Sequence, residues 1–468
     1  MSTSRATRHP RVAIIGAGPA GFYAAERLLK DPASQVEVEM FDRLPTPWGL
    51  VRAGVAPDHP KIKSVSRVYE KTAALPGFRF HGNVAVGSDI THDELLAHHH
   101  AVIYSYGAAR DRRLGIPGED LAGSVPATEF VAWYNGHPDA VDREFDLHCG
   151  RAVVIGNGNV ALDVARMLVL TRDELAVTDI ADQALRALAA SSIEEVVVLG
   201  RRGPAQAAYT TPELRELGEL IDADVIVDSA DVQLDAATRA WLESDAADRG
   251  TRENVEIVRE YAGREPADRR RRVVLRFLAS PVEVLGAERV EGVRVVRNEL
   301  IADETGRIRA EHTAVEEIID CGLVLRAVGY RGAGVEGLPF DERSGTILNE
   351  RGRVLAQPGG SALPGAYAAG WIKRGPSGVI GTNKKCAHET VDNLLEDLAA
   401  GRLAEPRHPA QHLDGLLAER TPQRVDYAGW ERLDAHERLT GKAQGRPRVK
   451  LTSRDELLAH GLPAPSAP

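Results

Sequence analysis

Two stretches of this chain follow one design. Arg11-Val-Ala-Ile-Ile15 is an apolar run that stops at Gly16, and small and apolar residues then recur at helical spacing through Phe22-Tyr-Ala-Ala-Glu-Arg-Leu-Leu29. The pattern predicts a strand, a tight turn and a helix. Val36–Asp42 predicts the next strand, and it ends in an acid. Arg151-Ala-Val-Val-Ile155 repeats the design up to Gly156 and continues through Val160-Ala-Leu-Asp-Val-Ala-Arg166. Its following strand, Glu195–Leu199, runs into Gly200-Arg-Arg-Gly203 instead of an acid. Residues 167–194 have a helical composition, so the second unit is longer than a minimal strand–helix–strand.

From about 225 to 320 the pattern shifts to short β-rich runs such as Arg272–Leu278 and Val290–Val296, with Arg269–Arg272 on one edge. Val324–Gly329 and Gly365–Gly370 predict two more strands, the second ending at Trp371, and Gly378 to Leu398 predicts a glycine turn followed by a helix. The tail after 400 is rich in Pro and Arg and carries Arg446-Pro-Arg-Val-Lys-Leu451; it reads as extended chain on the surface. Alternating strands and helices with two such turns predict an α/β fold made of two Rossmann-like, three-layer nucleotide-binding domains. The simplest partition is discontinuous, with one domain formed by 10–109 and 324–468 and the other inserted as 110–323.

Composition changes this picture little. At 468 residues the chain is too long for one ordinary core. Its net charge of −10 argues against a nucleic-acid partner. No stretch approaches the roughly 20 apolar residues of a membrane span, and the first ten residues lack the apolar core of a signal peptide. Cys149, Cys321 and Cys386 form no Cys-x-x-Cys pair, which fits a reducing cytoplasm and bystander thiols rather than a disulfide reductase. His98-His99-His100 are consecutive and cannot converge on one ion without a turn, so no metal is expected there.

The chemistry lies in the two glycine turns. Gly16, Gly18 and Gly21 form Gly-x-Gly-x-x-Gly: the first glycine permits the turn, the second lets a pyrophosphate approach the backbone, and the third lets helix pack on strand. The phosphates belong at the helix N-terminus, where free N–H groups and the macrodipole favour anions. Asp42, 21 residues beyond Gly21, is placed to accept from ribose hydroxyls. Gly156, Gly158 and Ala161 form the second fingerprint, whose next strand ends in Arg201 and Arg202. A carboxylate there would repel a 2′-phosphate, whereas guanidinium groups hold it by charge-assisted bonds. One site therefore suits an unphosphorylated ribose and the other NADP(H). Two dinucleotide sites in one chain imply a flavin relaying electrons from the nicotinamide.

Four motifs sharpen this. Leu44-Pro-Thr-Pro-Trp-Gly-Leu-Val-Arg-Ala-Gly-Val-Ala-Pro-Asp-His-Pro-Lys-Ile-Lys63, Gly156-Asn-Gly-Asn-Val-Ala-Leu-Asp163, Gly200-Arg-Arg-Gly-Pro204 and Gly370-Trp-Ile-Lys-Arg-Gly-Pro-Ser-Gly-Val-Ile-Gly-Thr-Asn383 occur in order over nearly the whole chain. The sequence strongly resembles the adrenodoxin reductase family of ferredoxin–NADP reductases, above all its actinobacterial, FprA-type members. The resemblance implies a glutathione-reductase-like architecture, with FAD contacts at Ala20, Asp42, Leu50, Val86, Trp371, Gly378, Val379 and Ile380. It implies NADP contacts at Arg112, Asn157, Gly158, Asn159, Val160, Arg201, Arg202 and Glu213, with Gly378 near the nicotinamide. His59 and Glu216 match a polar pair near the flavin, discussed as a proton relay. Several members carry Glu where this chain has Asp42, whose shorter side chain needs a water to span the gap.

The implied activity passes hydride from NADPH to FAD and single electrons on to a ferredoxin. Ferredoxins are acidic as a class, so Lys61, Lys63, Arg67, Lys373, Arg374, Lys384 and Lys385 are candidates for a basic docking rim. The alternatives are a flavin monooxygenase or oxidase component, a glutamate-synthase-type β subunit lacking its usual cysteine-rich cluster motifs, and a non-catalytic NADPH-binding flavoprotein.

Overall fold

The computed structural model describes residues 9–303 and 308–463. By the density of its contacts the chain forms two compact units. One comprises the chain up to Val55, His59–Arg110 and the chain from Gly329 onward; the other comprises Ala56–Asp58 and Asp111–Val328. The sequence pattern places the boundaries at 109/110 and 323/324, and it gives no sign of the Ala56–Asp58 tripeptide that the second unit takes from the first.

In the first unit Arg11–Ile15 lies between Glu37–Asp42 and Ala101–Tyr104 in a seven-stranded sheet. Phe78–Gly82 extends one side in parallel register, and Ala362–Ala368 pairs parallel with Ala101–Tyr104 on the other. Two short antiparallel strands, Asn349–Glu350 and Arg353–Leu355, finish that edge. The central strands Arg11–Ile15 and Ala101–Tyr104 are buried and mainly apolar on both faces, whereas Glu37–Asp42 and Phe78–Gly82 carry Glu39 and His81, buried and bonded to each other at 2.8 Å. The helices Pro19–Leu29 and Ile380–Ala399 pack together over one face, joining Phe22, Leu28, Val391 and Leu394 in one core.

The second unit holds six parallel strands in the order Ser124–Pro126, Leu323–Arg326, Arg151–Ile155, Glu195–Leu199, Arg271–Arg276 and Ala223–Val227. A three-stranded antiparallel sheet of Ala279–Leu285, Gly292–Ala302 and Ile308–Asp320 follows it. Both units are α/β and nucleotide-binding in type. In each, strand, glycine turn and helix place an open helix N-terminus at the carboxyl end of the sheet, where ligands of this architecture bind.

Two expectations need correction. The stretch read as β-rich contains the helices Ala236–Glu243 and Arg249–Ala262. Each is started by an aspartate, Asp235 or Asp248, whose carboxylate accepts from the N–H three residues on. The tail is mostly helical, with Ala410–Arg420, Tyr427–Ala443 and Arg454–Gly461. Its basic run is not surface chain: Arg446 and Lys450 are buried. Glu437, with no exposed surface, bonds Arg52 through both oxygens at 2.8 and 2.5 Å and also accepts from Arg448 at 2.9 Å. Burial alone would raise the Glu437 pKa, but the Arg52 and Arg448 charges bring it down to about 2.

Candidate functional site

The first glycine turn is shaped by what surrounds each glycine. Gly16 has φ +100°, and a Cβ there would lie 2.6 Å from Tyr106 Cα. A Cβ on Gly21 would lie 2.2 Å from the Gly16 carbonyl oxygen. Gly18 differs: a Cβ there would meet only Gly49 Cα, at 3.9 Å. The loop is therefore packed at its first and third glycines and open at the second, as a pyrophosphate requires. Gly18 caps the helix Pro19–Leu29 without any side-chain hydrogen bond, leaving the first N–H groups for an anion.

Other predicted residues converge on this loop. Asp42 accepts from Ala17 N–H at 2.8 Å and from Leu44 N–H at 2.9 Å, one oxygen to each. Burial pushes its pKa above the usual carboxylate value, with those two N–H groups opposing the rise. Trp48 N–H donates to Ala17 O at 2.7 Å, which lays Gly49 and Leu50 along the loop. Gly370 has φ +74°, and a Cβ there would stand 2.6 Å from Ala20 Cβ, so the missing side chain brings Trp371 alongside Ala20. Arg374 donates to Asn383 Oδ1 at 2.9 Å and so ties the Trp371 segment to the helix Ile380–Ala399.

These residues fit a flavin dinucleotide. Trp371 Nε1 is a buried N–H with no protein partner among the described residues. Leu50 and Val379 are apolar yet 36% and 54% exposed. The helix behind Val379 has no side-chain cap. A lone donor, bare apolar groups and a free helix end are what a planar, partly anionic ligand would cover. Gly378, at φ +75°, makes the turn before Val379, and the helix opens at Ile380, as the glycine turn followed by a helix predicts. Val86 is half-buried in an apolar cluster with Tyr106 and Val335. His59, buried, caps the short helix Pro60–Lys63.

The second turn repeats the logic. Gly156 has φ +128° and its Cβ position lies 2.3 Å from Ala327 O, whereas a Cβ on Gly158 would meet only Ala208 Cβ at 3.9 Å. Ala161, fully buried, replaces the third glycine. Asn157 packs its amide where a Gly200 side chain would go, 2.5 Å from that Cβ position, so it holds the turn that carries Arg201 and Arg202. Asn159 Oδ1 accepts from Thr210 N–H at 2.8 Å, and Thr210 bonds Glu213. Val160 is half-buried on the same helix, Arg202 is half-buried, and Arg201 and Arg112 are exposed. No hydrogen bond among the described residues joins Arg112 to the rest of this group.

Glu216 has a partner that the motifs do not single out. Arg166, 3% exposed, meets Asp58 at 2.6 and 3.0 Å, Asp163 at 3.0 Å and Glu216 at 3.3 Å. Burial opposes its charge, but the three carboxylates hold it protonated well above the ordinary arginine value. Arg166 and Asp163 sit in the quoted helix motif, so i, i+3 spacing is the signal that could have found the pair; nothing in the sequence foretold Asp58. His59 belongs to the first unit and Glu216 to the second.

Lys373 and Arg374 of the expected basic rim serve internal contacts. Lys373 is bound to Glu389 at 2.7 Å and to Thr390 Oγ1 at 3.1 Å, and Arg374 serves the tie to Asn383. They brace the Trp371 motif because each has a polar partner within reach. Lys61, Arg67, Lys384 and Lys385 are exposed and Lys63 half-buried. Burial pushes the Cys321 thiol up to about 12 and raises that of Cys149, which disfavours the reactive thiolate form of both.

Fold and sites together define a flavoprotein oxidoreductase with two dinucleotide-binding units. Residues 10–198 match the model of the pyridine nucleotide-disulphide oxidoreductase family. The chain is 52% identical over 462 residues to the NADPH-ferredoxin reductase FprA of Mycobacterium tuberculosis, covering 96% of this chain and 99% of that one. It is 41% identical to a mitochondrial NADPH:adrenodoxin oxidoreductase of Arabidopsis thaliana, covering 98% and 96%. The solved structure of M. tuberculosis FprA in complex with NADPH superposes with a TM-score of 0.91 at 49% identity, over 97% of this chain and all of that one. The chain belongs to the adrenodoxin reductase-like, FprA-type family of ferredoxin–NADP reductases.

Proposed function

We propose that this chain is an FAD-dependent ferredoxin–NADP reductase, an enzyme that moves electrons between NADPH and ferredoxin. One observation carries the reading: two equivalent strand ends differ in charge, with Asp42 oriented by Ala17 and Leu44 in one unit and Arg201 and Arg202 on a braced turn in the other. When bound, FAD accepts two electrons from the nicotinamide and can release them singly, as an iron–sulfur acceptor needs.

The chain's own residues bind and orient. Gly16, Gly18 and Gly21 and the helix behind them receive the flavin pyrophosphate, and Asp42 keeps lone pairs for ribose hydroxyls. Ala20, Leu50, Val86, Trp371 and Gly378–Ile380 are assigned to the rest of FAD, where the helix dipole at Ile380 favours negative charge. Asn157, Gly158, Asn159, Val160 and Glu213 are assigned to NADP(H) along with Arg112, and Arg201 and Arg202 to its 2′-phosphate. His59 and Glu216 are assigned to tuning proton affinity near the flavin. Hydride transfer needs no proton donor at the transferring carbon and depends on stacking geometry.

The partner is an acidic iron–sulfur protein, met by Lys61, Lys63, Arg67, Lys384 and Lys385. No helix among the described residues is long and apolar enough to cross a membrane, and a cytoplasmic location agrees with three unpaired cysteines. The test is anaerobic reduction of the yellow protein. NADPH bleaches it much faster than NADH, and added ferredoxin restores the colour. A protein that NADPH bleaches but only oxygen recolours is an oxidase or monooxygenase component instead.

A further inference from the structure

The turn that carries Arg201 and Arg202 is held at every peptide. Ala279 N–H donates to Gly200 O at 3.1 Å and Leu278 N–H to Arg202 O at 3.2 Å. Between them, the side-chain amide of Asn298 donates to Arg201 O at 2.7 Å. The two flanking bonds come from backbone, which any residue supplies. The middle one depends on a single side chain, from a strand almost a hundred positions downstream.

Asn298 is built for this contact. It is 2% exposed, and its Nδ2 also donates to Ser280 Oγ at 2.8 Å. The pairing of Gly292–Ala302 with Ile308–Asp320 shifts register between Val296 and Asn298, and such bulges re-aim a side chain. Its backbone N–H donates to Leu278 O at 2.7 Å, and Leu278 sits at φ +55°, a strained setting for a branched residue. Asn298 Oδ1, in contrast, is buried with no partner among the described residues. A buried acceptor left unpaired destabilises the fold. An amide persists here for its donor half, and the donor goes to the carbonyl of Arg201.

We infer that Asn298 is a positioning residue that sets the preference for a 2′-phosphorylated adenosine, by fixing the turn from which the two guanidinium groups reach the phosphate. The inference rests on the assignment of Arg201 and Arg202 to that phosphate. Asn298→Ala removes the donor. Asn298→Asp keeps the shape but sets a carboxylate oxygen against the Arg201 carbonyl. On that assignment the two arginines serve the 2′-phosphate, so a loosened turn should cost affinity only where a 2′-phosphate is present.

The experiment is calorimetric titration of the FAD-loaded protein with 2′,5′-ADP and with 5′-AMP. It compares the parent, both Asn298 variants and the Arg201→Ala/Arg202→Ala double variant. Both Asn298 variants should bind 2′,5′-ADP about five- to tenfold more weakly, part of the loss expected when a charged hydrogen-bonding contact is misplaced. Their 5′-AMP affinity should not move. Equal weakening toward both nucleotides would make Asn298 merely structural, and no weakening toward either would overturn the inference outright. Should Asn298→Asp not fold, Asn298→Ala decides alone. If the double arginine variant loses its discrimination while the Asn298 variants keep theirs, only this inference fails. If the double variant keeps its discrimination, the assignment of the arginines fails first.

Discussion

A side chain added at Gly18 or Gly158 would meet nothing closer than 3.9 Å, whereas one at Gly21 would collide with backbone at 2.2 Å. The protein therefore leaves room for a side chain to begin at the two open positions, where a bound pyrophosphate would lie. Gly18→Val should yield folded, colourless protein, and Gly158→Val should yield folded, yellow protein that no longer binds NADPH. Absorbance and circular dichroism of each variant check this; a fully flavinylated Gly18→Val would remove the first turn from the FAD site. Gly21→Ala should instead lower yield and melting temperature, because the clash is internal. Arg201 and Arg202 make the complementary case at the other strand end. Removing one charge-assisted phosphate contact should weaken NADPH by about 1.5–3 kcal/mol and leave NADH kinetics nearly unchanged. Equal damage to both cofactors would make these arginines structural.

Among the elements, those flanking the glycine turns are the ones the sequence reveals, because an apolar run cut off by glycine leaves few alternatives. Glu195–Leu199 matches its predicted bounds, and Arg151–Ile155 and Arg11–Ile15 match theirs. The site glycines, Asp42 and the arginine pair are readable for the same reason. The helices of 236–262 are hidden: Arg249–Ala262 buries only Asn254, Val255, Ile257, Val258 and Tyr261 among charged neighbours. Tyr427–Ala443 is masked differently. Its inward face is Gly429, Trp430, Leu433, Glu437 and Gly441, so a charged residue interrupts the apolar stripe. That charge makes sense only beside Arg448, just past the helix, and Arg52, which is 385 residues away. Asn298 is invisible for the same reason, and so are the Asp58 and Glu216 partners of Arg166, since each contact is supplied by another segment.

The Glu437 cluster gives a prediction with a definite sign. Its folded pKa of about 2 lies below the ordinary 4.5. Its contribution is therefore complete above about pH 4.5 and fades as pH falls toward 2. Glu437→Gln leaves the Arg52 guanidinium without its carboxylate and Arg448 with Asp434 alone, at 2.7 Å, and should cost about 3–5 kcal/mol at pH 7. The gap in melting temperature between parent and variant should narrow as the pH is lowered through that window. A gap independent of pH would mean that shape, rather than charge, holds the tail.

At the scale of the whole molecule, a net charge of −10 must still admit the acidic partner proposed above. The exposed cations that remain, Lys61, Arg67, Lys384 and Lys385, all belong to the first unit. Attraction of this kind is screened as the Debye length falls from ~10 Å at 0.1 M salt to ~3 Å at 1 M. Ferredoxin-dependent turnover should drop steeply over that range while reduction of ferricyanide does not fall in parallel. Lys61→Glu should reproduce the drop at low salt without changing NADPH affinity.

The central claim is that one chain accepts electrons in a pair and passes them on singly. It is tested most directly by counting them without oxygen, with limiting NADPH, the FAD-loaded protein in catalytic amount and an excess of oxidised acidic ferredoxin. About two ferredoxins should be reduced per NADPH consumed, at a rate that collapses when NADH replaces NADPH. NADPH consumption without ferredoxin reduction, or equal rates with NADH, would contradict it.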